Sequence, residues 1–128
     1  MYKSDRDFKL WDYRVSHGQL LLRSPMSPDH HTNVDVQFFG VELICLPTFM
    51  HGIRLRLSNG DERDSDARRH AHEYVGKVFS CDDNGDARVI AAGCRVLENT
   101  MDIIESSLFS IHDSEDRPLG TVLARSEK

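Results

Sequence analysis

Residues 74–97 read YVGKVFSCDDNGDARVIAAGCRVL, and this stretch decides the fold. Two runs, Tyr74 to Cys81 and Arg88 to Leu97, flank Asp82-Asp83-Asn84-Gly85-Asp86. Asn-Gly supplies the two positive-φ residues of a tight turn whose twist matches that of paired strands. The segment is predicted to be a β-hairpin.

The same period-two logic extends upstream. Ile53, Leu55 and Leu57 alternate with Arg54, Arg56 and Ser58, so the arginines share a face directed away from the core. Asn59-Gly60 closes that strand with a turn signal. In Val34 to Cys45 the alternation Val34, Val36, Phe38 changes parity at Phe39-Gly40 before Val41, Leu43 and Cys45. A glycine at a parity change marks a bulge or sharp bend, and one long bent strand is expected. Pro25 and Pro28 make residues 24–33 a loop, since proline donates no amide hydrogen bond and holds its predecessor extended. Further upstream, Phe8 to Arg23 reads as a first hairpin broken at Ser16-His17-Gly18.

Asp61 to Tyr74 differs. Acids lead it and Arg68 and Arg69 follow, which suits a helix dipole. Asp64 and Arg68 stand four apart, and Ala67, Ala71, Tyr74 and Val75 form a thin apolar stripe. A short surface helix is expected there, with an acidic loop as the competing reading. Downstream, strands are expected over Met101 to Ile104, Leu108 to Ile111 and Thr121 to Ala124, with a turn over 112–118.

The fold class that follows is all-β or β-rich α+β: an antiparallel sandwich or flattened barrel of about seven or eight strands with at most one short helix. A length of 128 residues suits one β-rich domain over 1–128. The expected core comprises Trp11, Tyr13, Leu20, Leu22, Val36, Phe38, Leu43, Ile53, Leu55, Leu57, Val78, Val89, Ala91, Val96, Ile103, Leu108, Ile111 and Val122.

Composition narrows the function classes. Apolar residues at 39 % and charged ones at 29 % describe a chain that folds in water. No apolar run approaches the ~20 residues of a spanning helix, so no membrane is expected. The charged start, with Lys3, Asp5, Arg6, Asp7 and Lys9, has no signal-peptide core, and a cytoplasmic location is expected. Cys45, Cys81 and Cys94 fit neither a disulfide framework nor a zinc knuckle, and reduced thiols are expected. A formal charge of −5 argues against nucleic acid as a partner.

Three constellations could carry chemistry. His70-x-His72-Glu73 could hold a divalent metal if the backbone is extended there, because imidazoles two apart then share a face. On a helix the same pair diverges by about 200°. Trp11, Tyr13, Arg54 and Arg56 could line a face for an acidic or planar ligand, aromatic area joining guanidinium forks. The competing reading makes the aromatics core and the arginines a solvated face. Asp29-His30-His31 offers potential ligands in the proline-rich loop. Asp82, Asn84 and Asp86 occupy the first, third and fifth positions of a calcium loop, but Ala87 and Gly93 stand where the glycine and the bidentate acid belong, so that pattern fails.

No nucleotide-binding or nucleophile-elbow motif is present. The leading expectation is a non-catalytic interaction or binding module, engaging a protein partner or a second copy through a sheet face or edge, with no cofactor. The alternative is a small metal-dependent hydrolase or metal-binding protein using His70 and His72. A third reading is a β-barrel holding a small apolar molecule.

Overall fold

The computed structural model describes residues 1–58, 60–84, 86–101 and 120–126. Along the chain run β1 (Tyr2–Arg14), a 3-10 turn (Val15–His17), β2 (Gln19–Ser24), β3 (Asn33–Phe39), β4 (Leu43–Cys45) and β5 (Phe49–Leu57). Then come α1 (Gly60–His70), β6 (Lys77–Ser80), β7 (Arg88–Ala91), β8 (Gly93–Asn99) and β9 (Thr121–Arg125). The strand and turn expectations over 102–119, and the core expectations Ile103, Leu108 and Ile111, lie outside the described residues. Among the described residues, no helix is long and apolar enough to cross a membrane.

The strands form one antiparallel sheet in the order β4-β7-β6-β5-β1-β2-β3-β8-β9. β1 is its spine, pairing β5 on one side and β2 on the other. The register slips between Ser4 and Asp7 and again between Leu10 and Asp12, and such bulges bend and twist a strand. That curvature lets the sheet, nine strands among the described residues, roll rather than lie flat.

The roll is completed at one corner. The parity change read at Phe39-Gly40 is where β3 turns into β4, with Gly40 at φ 62. A Cβ on Gly40 would sit 2.9 Å from the Ala92 Cβ. Ala92 alone separates β7 from β8, and its N–H donates to the carbonyls of Phe39 (2.8 Å) and Gly40 (3.2 Å). Two bent stretches, β3–β4 and β7–β8, therefore pair on both sides of a shared corner. Because they belong to both ends of the strand order, the sheet curls around one interior, and among the described strands β4 and β9 stand at its two ends.

That interior holds Phe8, Leu20, Leu22, Val36, Phe38, Ile53, Leu55, Phe79, Val89 and Val96 among others. Phe38 from β3 and Phe79 from β6 meet edge to face, ring centroids 5.8 Å apart. The expected core needs correction at its margins. Tyr13 (39 % exposed), Leu57 (53 %) and Val122 (44 %) lie near strand ends, where alternation continues past the last residue that packs above it. Trp11 is only half-buried, and Leu43 joins a satellite cluster under α1 with Tyr74, Val78 and Ile90.

The helix forms over Gly60–His70 with Asp61 and Glu62 in its first turn and Arg68, Arg69 and His70 in its last. It ends at Ala71, which takes φ 48, and His72 N–H reaches back to Ala67 O at 3.1 Å. That bond closes a Schellman-type cap. The anchoring acid is Asp66, 2 % exposed, rather than the Asp64 of the expected Asp64–Arg68 pair. Of the apolar stripe, Ala67 and Tyr74 pack on β6 and β7, whereas Val75 is 80 % exposed.

Candidate functional site

Trp11 and Tyr13 lie near the far end of β1, whereas Arg54 pairs with Lys3 near its start. At a rise of ~3.3 Å per residue, about 26 Å of strand separates Lys3 from Trp11. The structure therefore does not join the aromatic and guanidinium halves of the Trp11, Tyr13, Arg54, Arg56 set.

His70 ends α1, and His72 follows the left-handed residue. Both imidazoles face Tyr74: His70 Nδ1 lies 3.0 Å from its hydroxyl, and the His72 ring centroid lies 4.7 Å from the Tyr74 ring. Glu73 is exposed beside them. Among the described residues, no three His, Cys, Asp or Glu side chains are grouped so that they could hold a metal ion. In the loop before β3, Ser27 and His30 exchange both backbone hydrogen bonds around Pro28-Asp29, leaving Asp29, His30 and His31 exposed. Arg6 fastens that loop by donating to Ser24 Oγ at 2.9 Å and to the Thr32 carbonyl.

Unforeseen from the sequence is a buried polar network on the outer side of β2, β3 and β8. Arg23 and Asp35, directly opposite in register, are both 0 % exposed. Arg23 Nε donates to Asp35 Oδ1 at 2.6 Å and a terminal nitrogen to Oδ2 at 2.9 Å. Asn99 Nδ2 donates to the same Oδ2 at 2.9 Å, and Asn33 Nδ2 to Asn99 Oδ1 at 2.9 Å. The Trp11 ring, at the bulge of β1, lies 5.3 Å from the Arg23 guanidinium. One signal was available: Leu20-Leu21-Leu22 has no alternation, as expected of a strand buried on both faces.

An open groove of about 490 Å³ lies where the β4–β5 connection approaches the β6–β7 turn. Leu46, Pro47, Phe49 and Met50 supply its apolar lining, and Phe49 is 40 % exposed. Cys45, His51, Asp82 and Asp86 line it as well. The turn is built locally, Ala87 N–H donating to Asp82 Oδ2 at 3.0 Å and Ser80 Oγ to the Asp82 carbonyl at 2.9 Å. His51 Nδ1 lies 2.9 Å from Asp7 Oδ1 across the β1–β5 pair. Cys81 is buried beneath the groove, and burial, reinforced by the Asp82 charge, pushes its thiol up to about 12, so it stays protonated at neutral pH. Burial raises the Cys94 thiol as well, with the Cys81 charge as a lesser cause. The hairpin expectation paired the strands carrying these cysteines, but only Arg88–Ala91 pairs β6; Cys94 lies past the corner, opposite Phe38.

One wall of this region is locked from behind. Arg88 Nε donates to Asp66 Oδ2 at 2.8 Å and a terminal nitrogen to Oδ1 at 2.6 Å, tying α1 to β7. The Arg88 hydrogen bonds hold the Asp66 carboxyl below its ordinary 3.8 despite the opposing cost of burial. A folded-state pKa below the unfolded one means that the unfolded chain binds more protons, so this contribution is present above about pH 4 and is lost as pH falls through the folded value. Asp66→Asn is expected to cost about 2–3 kcal/mol at pH 7, since hydrogen bonds to charged groups carry about that much. The gap between variant and parent should shrink in urea melts as pH is lowered from 5 to 2. A gap unchanged over that range would show that the carboxylate charge does not act at this contact.

Comparison with protein-family models, with curated proteins and with solved structures finds no match to this chain.

Proposed function

We propose that this chain is a non-catalytic protein-interaction module that takes a short partner segment, apolar with a basic flank, into the groove beside β4 and β5. The observation that carries the proposal is the pairing of that groove's apolar lining with its acids. Leu46, Pro47, Phe49 and Met50 offer area for one or two side chains, while Asp82 and Asp86 favour a Lys or Arg next to them. A volume of about 490 Å³ falls in the range of ligand-sized clefts. β4, an edge of the sheet only three residues long, borders the groove and offers a short backbone ladder for an extended segment. A reducing, cytoplasmic setting belongs to the same proposal and is supported by three free cysteines, one of them exposed.

The test is an amide NMR titration with four synthetic nonapeptides: leucine-lysine, leucine-glutamate, leucine-serine and serine-lysine. The leucine-lysine peptide is expected to bind most tightly and to shift the amides of Phe49, Met50 and Ala87. Phe49→Ser should weaken it about tenfold, the value of losing a well-buried apolar contact. Equal binding of the leucine-glutamate peptide, or no saturable shifts around the groove with any of the four, would overturn the proposal.

A further inference from the structure

A second recess, of about 430 Å³, is lined by Met1, Tyr2, Lys3, Arg54, Leu55 and Arg56. It gathers three cations on two adjacent strands in a chain whose formal charge is −5. Lys3 and Arg54 are directly opposite in the β1–β5 register, so their side chains leave the same face of the sheet. Arg56, two residues further along β5, shares that face.

Like charges directly opposite one another in an antiparallel pair destabilise it. The acid that meets this cluster is Asp83, whose Oδ1 accepts from an Arg54 terminal nitrogen at 3.0 Å, with both side chains largely exposed. Asp5 stands two residues from Lys3 on β1, on the far side from Arg56. Among the described residues, neither Lys3 nor Arg56 forms an ion pair. The Cα atoms of Arg54 and Arg56 stand about 7 Å apart along the strand and that of Lys3 about 5 Å across from Arg54, so three long cationic side chains on one face can converge on a multiply charged oxyanion.

We propose that the Lys3, Arg54 and Arg56 recess is an oxyanion site, of the phosphate and pyrophosphate class, with Asp83 as a competing internal carboxylate. The arginines supply planar donor forks and Lys3 a point charge, the division of labour that suits phosphate oxygens. Asp83 occupies one donor of Arg54 when the site is empty and yields it when the oxyanion arrives. The site is separate from the groove and does not depend on what that groove binds.

The experiment titrates the full chain with inorganic pyrophosphate, inorganic phosphate and sodium chloride at matched ionic strength, followed by calorimetry and by the amide shifts of Lys3, Arg54 and Arg56. Saturable binding of pyrophosphate, tighter than phosphate and absent with chloride, is expected. Arg56→Ala should weaken it about tenfold, the value of one charge-assisted contact. Asp83→Ala should tighten it, because it frees Arg54 without adding a contact. Two outcomes would overturn the proposal: chloride reproducing the shifts, or Asp83→Ala leaving the affinity unchanged while Arg56→Ala does the same. Both substitutions fall on side chains outside the core, so a folded spectrum for each keeps the comparison valid.

Discussion

Replacing Asp35 with Ala is expected to cost about 3–5 kcal/mol, the range for removing one member of a buried ion pair. Arg23 and Asp35 are both fully buried and joined by two parallel hydrogen bonds. Guanidinium cannot shed its proton at any ordinary pH, so loss of the carboxylate leaves a charge with no water to hydrate it. Asn99 would also lose the acceptor it shares with Arg23. Urea denaturation at pH 7 checks the magnitude. The double variant Arg23→Met, Asp35→Leu should recover most of the loss, because exchanging a buried pair for apolar groups of similar volume is often neutral. A loss below about 1 kcal/mol for Asp35→Ala would mean that this face is wetter than the structure places it.

Phe79→Ala should cost a comparable amount, about 3–5 kcal/mol, as large-to-small changes at fully buried aromatics do. The informative quantity is its coupling to Phe38. The two rings meet edge to face from β3 and β6, strands four places apart in the sheet order β6-β5-β1-β2-β3. They touch only because the sheet is rolled. A double-mutant cycle between Phe79→Ala and Phe38→Ala should return a coupling of about 0.5–1.5 kcal/mol, the range for such aromatic pairs. Additive losses would place the two rings apart and argue for a flatter sheet.

What the sequence disclosed depended on whether the signal was local. The alternation over Ile53 to Leu57, the break at Ser16-His17-Gly18 and the parity change at Gly40 each state a backbone geometry within a few residues. The structure has a strand, a turn and a corner at those places, although Leu57 is exposed and the one long bent strand expected across Gly40 is two, β3 and β4. The acidic start and basic end of α1 were similarly legible. Arg23, Asp35 and Asn99 were not, since charge and amide read as solvent unless a partner is known, and the partners come from other strands. The same limit governed the site. Arg54 and Trp11 look like neighbours in a list of face-sharing residues, but a spine thirteen residues long holds them at opposite ends. Lys3 becomes a neighbour of Arg54 only through a register that no local pattern reveals. The groove is likewise a meeting of two loops, and neither announces the other.

The corner shared by Gly40 and Ala92 bears on how the chain assembles. β1, β2 and β3 can zip together as soon as they exist, since short connections join them. The far side of β3 waits for β8, and Asn33 meets Asn99 only after 66 further residues have been added. Until then Val34, Val36 and Phe38 sit on an uncapped strand edge, the kind of template on which other chains pair. Synthesis at roughly 5–20 residues per second leaves that edge open for several seconds on every ribosome. The pairing of β8 with β3 is therefore expected to decide how long that edge stays exposed.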